Sequence, residues 1–70
     1  MVTVRIESML LGPSGQVLRD WTVEEGSIIN NTQEIARRMM WIKRRQNATP
    51  YTVRVRTVSE QTGQVMDMIP

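Results

Sequence analysis

The chain opens on a strict alternation. Val2, Val4, Ile6 and Leu10 share one parity, and Thr3, Arg5, Glu7, Met9 and Leu11 take the other, the period-two signature of a strand with two unlike faces. Gly12-Pro13-Ser14-Gly15 interrupts the pattern with four turn-forming residues. Alternation resumes over 16–23, with Val17, Trp21 and Val23 in phase, so 2–23 reads as a β-hairpin. Glu24-Glu25-Gly26-Ser27 reads as a polar connection that leaves the sheet.

A different period takes over next. Asn31 with Glu34 three residues later resembles a capping box with Asn in place of Ser or Thr, which predicts a helix over 31–46. Asn47 and Pro50 stop it. At about 100° per residue, Ile35, Met39 and Ile42 fall on one side, and Arg37, Trp41, Arg44 and Arg45 on the other. Tyr51, Val53 and Val55 then alternate with Thr52, Arg54 and Arg56. A turn at Glu60-Gln61-Thr62-Gly63 and a short strand up to Ile69 complete a second hairpin, 51–69.

The two hairpins share vocabulary. Thr3-Val4-Arg5-Ile6 matches Thr52-Val53-Arg54-Val55, and Gly15-Gln16-Val17-Leu18 matches Gly63-Gln64-Val65-Met66. An internal duplication explains this; so does the common vocabulary of amphipathic hairpins. With the two matching first strands central, the expected architecture is α+β: a single domain over 1–70, ββαββ, a four-stranded antiparallel sheet of order 2-1-3-4 with one helix on one face. The covered face is expected to hold Val2, Val4, Ile6, Val17, Trp21, Tyr51, Val53, Val55, Val65 and Ile69. Arg19 and Asp67 fall in the inward phase of the outer strands, where charges guard a sheet edge.

Composition changes this picture in one respect, the thinness of the core. Val, Ile and Leu make up 17 of the 70 residues, above the roughly 20% at which disorder becomes the expectation. A domain this small buries only about 60% of its unfolded surface. Apolar residues are nevertheless left over. Met9, Leu11, Leu18, Val58, Met66 and Met68 fall outside the covered face, and a patch of that kind marks a self-association surface, so a homodimer is expected.

Charge adds a second surface. The formal net charge is only +2, but Arg37, Arg38, Lys43, Arg44 and Arg45 lie within nine residues of one another. Arg37, Trp41, Arg44 and Arg45 on the outer side of the helix form the expected partner-binding surface, since Trp and Arg are the residue types that dominate binding hot spots. Basic residues near a helix C-terminus are also favoured by the helix dipole alone. Arg5, Arg54 and Arg56 on the uncovered sheet face are an alternative anion-contact surface.

Catalytic chemistry is poorly represented. The chain has no histidine and no cysteine, and its seven carboxylates are scattered, so the expectation is not an enzyme, with no cofactor and no metal. No apolar run is long enough to span a bilayer, and the N-terminal residues carry charge where a signal peptide is apolar, so no membrane association and a cytoplasmic location are expected. The expected function is a small binding protein, a regulator or inhibitor acting by protein–protein contact, of the kind common among phage and mobile-element accessory products. The alternative is a nucleic-acid-binding module that uses the Arg/Trp helix.

Overall fold

The two segments with the cleanest apolar parity become the central strands. In the computed structural model, which describes residues 2–70, β1 (Thr3–Leu11) and β3 (Thr52–Ser59) lie side by side. β2 (Val17–Ile29) flanks β1 and β4 (Val65–Ile69) flanks β3. Every neighbour pair is antiparallel and the order is β2-β1-β3-β4. Helix α1 (Thr32–Gln46) packs on one face, chiefly against β3. The architecture is the expected α+β ββαββ.

The core is one layer between α1 and the sheet. Val4 and Ile6 from β1, Val53 and Val55 from β3, and Ile35, Met39 and Ile42 from α1 are all buried, with Leu10, Ile28 and Ile69 half-buried around them. Each of the fully buried side chains contributes about 1.5–3 kcal/mol by leaving water, and the half-buried ones less. The helix phase is the one its 3.6-residue period predicts. At its start the Asn31 side chain accepts a hydrogen bond from the Glu34 N–H at 3.1 Å. The capping box is only half made, because the Glu34 carboxylate accepts from Arg38 Nε, also at 3.1 Å. At the other end the Asn47 N–H donates to the Lys43 carbonyl, and Asn47 Oδ1 accepts from the Val53 N–H, which ties the helix end to β3.

Strand β2 departs from expectation. Residues 24–27 do not leave the sheet; the strand continues to Ile29, where it pairs with Thr3. From Thr3↔Ile29 to Leu11↔Val17, β1 advances 8 residues and β2 advances 12, and four register shifts absorb the excess. Each bulge reverses the facing of the residues beyond it. Val17 and Val23, which share a face with Leu11 and Glu7 of β1, therefore lie on the uncovered face, as does Trp21 against Arg56. Val65 pairs with Val58 on that face too, and Val2 and Tyr51 are exposed. The covered face is accordingly smaller than the alternation implies. Arg19 and Asp67 keep their inward phase, opposite Leu10 and Thr57.

The repeated glycines do the same work in both hairpins. Gly15 and Gly63 have φ of 82° and 77°, a region where a side chain is strained. The register also sets Glu7 opposite Arg56, which occupy equivalent places in the two hairpins, at the centre of the sheet.

Candidate partner-binding surfaces

Helix α1 carries the densest group of outward basic residues. Arg37, Arg44 and Arg45 stand four before, three after and four after Trp41, the spacings at which helix side chains are neighbours. Trp41 is 57% exposed, and the Arg45 guanidinium lies over its ring at 5.0 Å from the centroid. Arg37 is exposed, and its nearest carboxylate is that of Glu34, 3.9 Å away. Arg44 is exposed as well. The structure thus gathers all four residues expected at this surface onto one stripe.

The other two basics of the cluster are engaged elsewhere. Arg38 bridges to Glu25 and Glu34, and these hydrogen bonds and charges, Glu25's first, raise its already high pKa. Lys43 Nζ donates to the carbonyls of Val53 and Pro70, both at 2.7 Å. Behind the stripe a polar network closes the helix end. Ser8 Oγ and Gln46 Nε2 both donate to Glu24 Oε1, at 2.6 and 2.7 Å, and Arg19 donates to Ser8 Oγ at 2.8 Å. Burial pushes the Glu24 carboxyl up. The hydrogen bonds from Ser8 and Gln46 and the charges of Arg19 and Arg45 outweigh this and hold it below the usual range. Glu24 and Glu25 both meet α1 because a bulge separates them, where a regular strand would turn them to opposite faces.

The uncovered sheet face is partly closed by its own side chains. Glu7, only 6% exposed, accepts from Arg5 Nε at 2.8 Å and from Arg56 Nε at 2.7 Å. The Arg56 guanidinium stacks on the Trp21 ring, 4.0 Å from its centroid. Burial raises the Glu7 carboxyl; the hydrogen bonds and charges of Arg5 and Arg56 more than compensate and lower it. Of the three sheet-face arginines, Arg5 and Arg56 share the single Glu7 carboxylate and are half-buried, and Arg54 alone is exposed.

The residues expected to self-associate are dispersed. Val58 is buried within its own chain, and Met9 and Leu11 are half-buried. Leu18 lies on β2, while Met66 and Met68 lie on β4, at opposite edges of the sheet. The alternation along 16–23 points Trp21 into the core, so neither its stack on Arg56 nor the Arg5–Glu7–Arg56 cluster is legible from it. The Glu7/Arg56 coincidence in the two hairpins was the available signal.

Among the described residues no group of three acidic side chains could hold a metal ion, and no helix is long and apolar enough to cross a membrane. Comparison of the chain with protein-family models, curated proteins and solved structures finds no match.

Proposed function

We propose that this chain is a small non-enzymatic binding protein, a regulator or inhibitor, that docks an acidic protein surface on the outer stripe of α1. The observation that carries the reading is Trp41, 57% exposed on a helix face that it shares with Arg37, Arg44 and Arg45. A large indole left in water flanked by guanidiniums has the composition of an interface hot spot. Trp41 fills an apolar recess on the partner, and the three arginines pair with carboxylates around it.

Two further observations support a protein rather than a nucleic acid. Of the five clustered basics, Arg38 and Lys43 are spent within the chain, which leaves Arg44, Arg45 and Arg37, the last only loosely paired with Glu34 at 3.9 Å, to meet an anion. Met40, also exposed, adds apolar surface beside Trp41 that a phosphate backbone does not use. A second copy does not fit the stripe. Antiparallel helices crossing at Trp41 bring Arg37 of one copy against Arg45 of the other, and like charges at that range repel.

The test uses the Trp41 indole N–H resonance, titrated with an acidic amphipathic helical peptide of Glu and Leu and, separately, with a short duplex DNA. The peptide is expected to shift and saturate the signal. Trp41→Ala with Arg44→Ala is expected to abolish binding while leaving the amide spectrum folded, because both side chains are exposed. Tighter binding to DNA at physiological salt, with a log–log salt slope steeper than the about −2.7 that three phosphate contacts give, overturns the reading in favour of a nucleic-acid module. Unfolding of the double variant overturns the placement of Trp41.

A further inference from the structure

A second recognition feature lies on the other flank of α1. Ile35, Ala36, Met39 and Met40 of the helix face Asp67, Met68 and Ile69 of β4 across an open groove of about 290 Å³, near the lower end of ligand-sized pockets. The groove runs beside the free border of the sheet, because β4 is the last strand of the order and, among the described residues, its outer edge has no strand partner. Its lining is apolar except for Asp67. The Asp67 N–H is spent on Thr57 Oγ1 at 3.0 Å, but among the described residues its carboxylate has neither an ion pair nor a hydrogen bond.

We infer that the β4 edge and the α1/β4 groove together accept an extended peptide segment as a fifth strand, with a lysine or arginine of that segment placed against Asp67 and apolar side chains on either side of it. Strand addition uses the unpaired backbone edge for affinity, and alternate side chains entering a groove for specificity. Asp67 supplies the specificity. A carboxylate in the inward phase of an edge strand repels any strand that brings an apolar or acidic residue opposite it, and admits one that brings a cation.

Asp67 also excludes a second copy. Two β4 strands paired antiparallel bring two Asp67 carboxylates onto one face. The other free edge, β2, is bulged four times along its length, whereas β4 has a single register shift, between Val65 and Asp67. The occupant is therefore a different chain, extended and carrying a basic residue between apolar ones. This site borders the Trp41 stripe at Met40 but depends on neither Trp41 nor its arginines.

The experiment titrates the protein with the capped heptapeptide Thr-Val-Thr-Lys-Thr-Val-Thr and with its Lys-to-Glu counterpart, following backbone amide shifts. The Lys peptide is expected to give saturable shifts confined to β4 and the facing side of α1. It is expected to bind at least about tenfold more tightly than the Glu peptide, a difference of about 1.4 kcal/mol. Asp67→Asn is expected to lose most of that discrimination, and Asp67→Lys to reverse it. Asp67 is exposed, and retained amide dispersion reports that the fold of each variant is intact. Equal binding of the two peptides overturns the inference. So does the absence of saturation with either peptide, or a shift pattern centred on β2 or on the uncovered sheet face.

Discussion

At the scale of single residues, the positions under most constraint are not apolar. Ser27 has φ of 53°, the left-handed region, inside the bulge between Ile28 and Glu25. A residue with a Cβ is less stable there by roughly 1–2 kcal/mol. Glycine removes that penalty but gains freedom in the unfolded chain, so Ser27→Gly is expected to stabilise by only about 0.5 kcal/mol. Ser27→Val, whose branched Cβ fits the region worst, is expected to destabilise by about 1–2 kcal/mol; chemical denaturation of both variants checks the pair. Glu7 is constrained by charge instead. Its pKa is depressed in the folded state, so its contribution to stability is complete above the unfolded value of about 4.5 and is lost as pH falls through the folded one. Glu24 shifts in the same direction and acts in the same window. The melting temperature is therefore expected to fall on acidification below that value. Glu7→Gln, which leaves Arg5 and Arg56 facing each other without a counter-charge, is expected to melt lower than the parent at pH 7. The gap narrows as the parent's own carboxylate is protonated, and thermal melts across the acid range read the narrowing directly.

Among the elements, legibility tracks regularity. The phase of α1 was readable because Ile35, Met39 and Ile42 recur at helical spacing and nothing interrupts them. The same phase put Arg37, Trp41, Arg44 and Arg45 on one stripe, so that much of the candidate site was legible. β1 and β3 were readable because apolar residues recur at alternate positions in each, with no register shift between them, and turns follow both. β2 was not. Four bulges in one strand reverse side-chain facing at intervals that no residue pattern announces, apart from Gly26. Trp21 was therefore assigned to the wrong face, and its stack on Arg56 stayed invisible. The α1/β4 groove escaped for another reason: it depends on how far β4 extends beside the helix, which is a tertiary quantity. Caps, by contrast, are local. Asn31→Ala removes the acceptor for the Glu34 N–H and is expected to cost about 1 kcal/mol, with Asn31→Ser nearly neutral. Because the reciprocal half of the capping box is absent, Glu34→Gln is expected to act through Arg38 and Arg37 and to vary with salt, while the cap variants do not. Unfolding curves at low and high ionic strength separate the two.

For the whole molecule the sheet has two unlike faces, and they do unlike work. The covered face holds a single aliphatic layer in which Ile6 and Val4 are fully buried. The other face carries the Arg5–Glu7–Arg56 ion pairs, with the Trp21 indole stacked on Arg56. Stability of a domain this size is expected to be about 3.5–10 kcal/mol, at 0.05–0.15 kcal/mol per residue. Ile6→Ala removes a buried side chain from a layer with few neighbours available to collapse into the space, at a cost of about 3 kcal/mol. That is a large share of the total, and at roughly 4–8 °C per kcal/mol it lowers the melting temperature by about 12–24 °C. Trp21→Ala is expected to cost less, about 1–2 kcal/mol. Arg5, Glu7 and Arg56 keep their ion pairs, and water replaces the ring over Arg56. If the two losses are equal, the uncovered face is a second core and not an indole stacked on an ion-paired arginine. If Trp21→Ala is the smaller by a kilocalorie or more, the fold rests on the helix-covered layer. The outer stripe of α1 can then be altered freely only at positions that point away from that layer, where Trp41 and its three arginines stand.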